Sequence, residues 1–275
     1  MKRLCFLIVL LIFISQFGCE VDHGIAPLPG KLQVEVAFRG TPPEDTQGVY
    51  LIVAPQFPPH AINELLQSPN SLPTNQDTVI TEIDLPYGEY EAFGLWWYSS
   101  DTRSNLADIL TMPFSGITGE PLGFTISPEE PVLQRRLRAN WSYMYRDASI
   151  RGTVYFEGQF PENTDVTAIA AYSAQPQSAV HYLVWLKSID ITIETGVKKH
   201  DFVLPVANGA VGYIAVFWLP ENAPLYDIQI VSEYMDPENS SEIGKLVLSP
   251  DEIVEGIEVT VDWNTIKPVF PTEAQ

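Results

Sequence analysis

A chain of 275 residues with Lys+Arg 15 against Asp+Glu 35 has a formal net charge of −20, which excludes nucleic acid and anionic headgroups as partners attracted by charge. Hydrophobic residues at 45% and aromatics at 11% are ample for packed cores and exclude a mostly disordered chain. The acidity reads as a solvated surface rather than a store for cations.

The chain opens with Met1-Lys2-Arg3, an apolar run from Leu4 to Ile14, and then Gln16-Phe17-Gly18-Cys19. The run is short for a membrane span and its right flank is polar, so it reads as an export signal. Cys5 lies in the part that cleavage removes. Cys19 is then left without a disulfide partner, and acylation accounts for an unpaired thiol in an exported chain. On these residues the leader resembles a bacterial lipoprotein signal. Gln16 and Phe17 depart from the usual aliphatic and small residues, Gly18 and Cys19 match, and plain secretion is the competing reading. The resemblance implies a signal peptide over 1–18, a lipid on Cys19, a spacer over 19–29 and residence in the cell envelope. Glu20 and Asp22 point onward to the outer membrane or cell surface.

Next comes an internal duplication. Phe38-Arg39-Gly40 with Pro43-Glu44 recurs as Phe156-Glu157-Gly158 with Pro161-Glu162, an offset of 118. Leu85-Pro86 recurs as Leu204-Pro205 at 119. Ser127-Pro128-Glu129-Glu130, Val132 and Trp141 recur as Ser249-Pro250-Asp251-Glu252, Val254 and Trp263 at 122. Three clusters in the same order predict two copies of one domain, over 30–143 and 146–263, with a tail over 264–275.

Within each copy the apolar period is two. Leu32, Val34, Val36 and Phe38 alternate with Lys31, Gln33, Glu35 and Ala37; Ile150, Gly152, Val154 and Phe156 do the same in the second copy. Second strands follow at Val49–Ala54 and Val166–Ala171, and central apolar strands run through Trp97 and from Gly212 to Leu219. The closing strands lead to Trp141 and Trp263, which should be buried alike, with Asn140 and Asp262 outward. Val180–Leu186 is apolar throughout, whereas its nominal counterpart around Ala61–Leu66 looks like a short helix, so the copies should differ there. Short strands punctuated by Gly and Pro predict an all-β chain of two tandem antiparallel β-sandwiches.

A strand ending in Phe-x-Gly, a Pro-Glu turn, a strand rich in Val and Ala, and then Leu85-Pro86-Tyr87-Gly88-Glu89-Tyr90 resemble the prealbumin-like β-sandwich group of carboxypeptidase-regulatory-like, transthyretin-like and Cna B-type modules. The second copy departs, with Leu204-Pro205 separated from Gly212-Tyr213 by a longer stretch. The resemblance implies accessory, adhesive or spacer roles. Its crosslinking members need a buried lysine, and the first copy has none between Lys31 and Lys187.

Catalytic patterns do not stand out. His23, His60, His181 and His200 are scattered without ligand spacing, and neither a Gly-x-Ser-x-Gly elbow nor a phosphate loop occurs, so neither an enzyme nor a cofactor is expected. Glu233, Asp236, Glu238 and Glu242 form an acidic loop read as solvated rather than as a calcium site. The candidate ligand-binding residues are Trp96, Trp97 and Trp218, on strands apolar on both faces, and Trp185. The sequence thus points to a non-enzymatic binding or scaffold protein held at a membrane by its lipid, with an envelope protein or polysaccharide as partner. A carbohydrate-binding module using exposed aromatics, or a hydrolase with dispersed residues, are the alternatives.

Overall fold

The computed structural model describes residues 29–100, 108–116, 119–265 and 267–268. The leader, Cys19, the spacer up to residue 28 and most of the tail lie outside the described residues. The first unit holds β1 (Gly30–Arg39), β2 (Thr46–Ala54), β3 (Leu66–Gln67), β4 (Thr78–Leu85), β5 (Gly88–Tyr90), β6 (Ala92–Ser99), β7 (Ile109–Thr111), β8 (Phe124–Ile126) and β9 (Val132–Asn140). One sheet has the order β4-β1-β9, a second the order β3-β2-β6-β7, and β5 pairs with β8. Alternation in β1 buries Leu32, Val34 and Val36 against Leu51, Phe93, Leu95 and Trp97 of the second sheet.

The second unit repeats this plan with β10 (Ala148–Glu157), β11 (Thr164–Tyr172), β12 (Leu186–Asp190), β13 (Lys199–Val206), β14 (Gly209–Val211), β15 (Tyr213–Pro220), β16 (Gln229–Glu233), β17 (Leu246–Leu248), β18 (Ile253–Asp262) and β19 (Lys267–Pro268). Its sheets run β13-β10-β18 and β12-β11-β15-β16-β19, with β14 on β17. Among the described residues no sheet mixes strands of the two units. Most ladders are antiparallel, but β1 runs parallel to β9, and β10 parallel to β18, so in each sandwich the opening strand lies beside a long late strand running in the same direction.

Shared details go beyond the sequence matches. The ladder between β2 and β6 is bulged at Thr46/Gly48, and that between β11 and β15 at Thr164/Val166, 118 residues on. Beside each bulge a threonine hydroxyl accepts from a core indole: Trp97 Nε1 to Thr46 Oγ1 at 2.9 Å, Trp218 Nε1 to Thr164 Oγ1 at 2.8 Å. The Phe-x-Gly motif has a physical reason as well. Phe38 stacks on Trp141 at 5.3 Å and Phe156 on Trp263 at 5.8 Å. Gly40 (φ +84) and Gly158 (φ +81) then turn left-handed against the Cβ atoms of those tryptophans, where another residue would be strained.

Register corrects the repeat alignment. Leu32 faces Ile83, whereas the equivalent Ile150 faces Leu204. Leu204 therefore answers Ile83, and Val206 answers Leu85; the two Leu-Pro pairs coincide in sequence but sit two residues apart in register. The apparent stretching of the second motif disappears, since Gly88 and Gly209 both open the strand that pairs with β8 or β17. Val132 and Val254 are likewise displaced by one, because Leu32 faces Leu133 while Ile150 faces Val254. The difference is absorbed at a bulge in β18, where Gly256 is left-handed (φ +81) and Gly152 leaves room for the Ile257 carbonyl.

The apolar Val180–Leu186 segment is also corrected. It forms a helix, α1 (Ala179–Val184), while Ile62–Glu64 is a single 3-10 turn at the same place in the first unit. The copies do differ there, a six-residue α-helix standing where the first unit has a three-residue 3-10 turn.

Candidate ligand cleft between the units

The residues joining the units are held down rather than free. Met144 is buried in the first core, and the Tyr145 hydroxyl donates to the Thr41 carbonyl at 2.8 Å. Arg146 reaches back into the first unit: its Nη2 lies 3.4 Å from Oδ1 of Asp108, which is 1% exposed, and its guanidinium sits 5.7 Å from the centre of the Trp97 ring. The next residue, Asp147, accepts from the Asn208 amide at 2.8 Å and from its side chain at 2.6 Å, fixing the linker to the second unit.

Helix α1 makes a second bridge. Tyr182 packs on the outer face of β11 and β15 with Tyr172, Tyr213 and Phe217. Val184, at its end, packs instead on Ala54, Ala92 and Met112, on the outer face of the first unit. The Leu225 amide donates to the His60 carbonyl at 3.1 Å. Both faces of β6 and β15 are apolar for this reason: one lines a core, and the other is covered by the helix or the neighbouring unit.

Beside these contacts opens a cleft of about 650 Å³, lined from the first unit by Met112, Phe114 and the linker, and from the second by Trp185, Lys187 and Asn208. Tyr143 is 66% exposed on it. His181 stacks on Trp185 at 3.6 Å, and its Nδ1 accepts from the Gln177 amide at 3.1 Å. Burial holds the His181 ring below its ordinary value, which keeps that nitrogen free to accept. Lys187 makes no ion pair among the described residues; burial pushes its ammonium down, Arg146 pushes it further, and Asp147 pulls it back.

Of the four candidate tryptophans, the structure brings one to this cleft. Trp97 and Trp218, 1% and 6% exposed, are core residues with their indole N–H groups engaged, so the sugar-stacking role considered for them is corrected. Trp96 is outward but covered, stacked on Tyr98 and lining a small cavity at the junction together with Ile52, Phe57, Ile109 and Leu183. Trp185 lines the cleft. Sequence reasoning missed Tyr143 and Lys187; the available signal was a tyrosine-rich linker, Tyr143 and Tyr145, in a place expected to be plain connection. The acidic loop is a hydrogen-bonded turn in which Asp236 accepts the Glu238 and Asn239 amides, Glu242 accepts from Asn239, and Glu233 accepts from Tyr213.

No family model and no curated protein matches the chain. Among solved structures it is similar to an adhesin candidate from Bacteroides ovatus (12% identity, 90% of this chain, 95% of that one, TM-score 0.29). A candidate cell adhesion protein from Bacteroides fragilis is similar at 9% identity, 89% and 99% coverage and TM-score 0.23. A leucine-rich repeat protein from Bacteroides thetaiotaomicron is similar at 10% identity, 85% of this chain and TM-score 0.31, and this chain spans only 26% of its length. Scores this low carry no assignment, and the all-β fold rests on the strands themselves.

Proposed function

We propose that the chain is a lipid-anchored, non-enzymatic binding and scaffold protein of the bacterial cell envelope, displaying the cleft between two prealbumin-like units to an envelope partner at the outer membrane or cell surface. The observation that carries the binding reading is the doubly stapled junction. Arg146 on Asp108 and α1 across the two outer faces hold the cleft walls together, so a ligand meets a preformed site and meets little ordering cost. The prealbumin-like reading is supported by the Leu-Pro-x-Gly-x-Tyr motif, in which the Tyr90 hydroxyl donates to the Pro86 carbonyl at 2.9 Å and pins the turn between β4 and β5. Anchoring rests on the leader and on Cys19.

Anchoring is tested by Cys19→Ser. The variant is expected to leave the membrane fraction or to accumulate as unprocessed precursor. Wild-type mature protein found soluble in the periplasm or medium would overturn it.

A further inference from the structure

We propose that the cleft between the units binds an acidic oligosaccharide, with sugar rings laid on Trp185 and Tyr143 and a carboxylate paired with Lys187. This deepens the binding reading above and does not depend on Cys19.

The size, about 650 Å³, lies in the range of built small-molecule sites. The lining is what selects the ligand. Phe114, Tyr143 and Tyr145 are each at least 36% exposed there, in a chain whose other large aromatics mostly serve the cores. Flat apolar faces are interleaved with hydroxyl and amide groups from Ser142, Ser173 and Asn208. A lipid tail would match the rings but leave the polar groups unpaired, and a sugar, with C–H faces and a hydroxyl rim, matches both.

Charge narrows the class. In a protein with 35 acidic residues against 15 basic ones, Lys187 is half-buried in the cleft wall with no ion pair among the described residues. Of its near neighbours, Arg146 is paired with Asp108, and the Asp147 carboxylate, which favours the ammonium, is engaged by the Asn208 amide and side chain. A half-buried ammonium without a contact ion pair is stabilised by an incoming carboxylate through a charge-assisted bond.

The test is calorimetry and tryptophan fluorescence on the purified mature protein at about 0.15 M salt, where repulsion between the acidic protein and an anion is screened beyond about 8 Å, with tetragalacturonate and its fully methyl-esterified form as probes. The two share rings and hydroxyls and differ in charge. The acid is expected to bind about tenfold more tightly than the ester, the ordinary worth of one charge-assisted bond. Lys187→Met should abolish that preference while Lys187→Arg keeps it, and Trp185→Ala should remove binding of both, with melting curves recorded for every variant. Should Trp185→Ala fail to fold, the two Lys187 variants decide the matter. Binding of neither probe, equal binding of both by the wild type, or a preference surviving in Lys187→Met would overturn the proposal. So would a tetraglutamate peptide that binds as tightly as the uronate. None of these outcomes bears on whether Cys19 is acylated.

Discussion

Trp141 and Trp263 close the two sandwiches by the same contact, a phenylalanine from the opening strand stacked on an indole just past β9 or β18. Trp141 is fully buried and Trp263 7% exposed, as their shared spacing to the sequence repeat predicts. Asn140 and Asp262 are half-buried beside them, each accepting the backbone N–H two residues on, from Ser142 and Asn264. Replacing either tryptophan by alanine removes a large buried side chain and leaves a cavity around Phe38 or Phe156. Each change should cost about 3–5 kcal/mol. Chemical denaturation of the full chain checks this, and the loss should appear in the transition of the mutated unit alone. Trp96 shares one feature with them: like those of Trp141 and Trp263, its Nε1 finds no hydrogen-bond partner among the described residues, so its burial rests on apolar and ring contacts, Tyr98 among them.

At the scale of elements, alternation made β1 and β10 legible, because a strand with one buried face repeats every second residue. The same rule is silent on neighbours and direction, so the parallel β1/β9 and β10/β18 ladders could not be read from it. Helix α1 was missed because six residues span under two turns, too few to show a period in an all-apolar run. One element contact sets a pH dependence. Asp190, ending β12, meets His200 of β13 at 3.0 Å and so ties the two sheets of the second unit together. Burial pushes the Asp190 carboxyl up, but donation from the Thr192 side chain, His200 and the Thr192 amide outweighs it and holds the group below the ordinary carboxylate value. A carboxyl lowered by folding stabilises above its unfolded value, near pH 4, and loses that contribution as pH falls through the folded value. Urea midpoints of wild type and Asp190→Asn should therefore converge below pH 4 and separate above it; a constant gap would contradict this.

For the molecule as a whole, the duplication was visible in residues while the cleft was not. Its walls come from Phe114, the linker at 142–146, Lys187 and Asn208, which only the packing of one unit on the other brings together. Trp185 was picked for its apolar surroundings, yet what places it on the cleft is the end of α1 and the start of β12. Each unit holds its own core, and the linker belongs to the first unit as much as to the second. Removing Arg146 takes its cation away from the buried Asp108 carboxylate, a loss of about 3–5 kcal/mol for a broken buried pair. The direct measurement is denaturant unfolding of two fragments of the first unit, 29–145 and 29–147. The longer should unfold in one cooperative transition and exceed the shorter by that amount, whereas equal stability of the two, or failure of the longer to fold, would show that the linker is no part of the first unit.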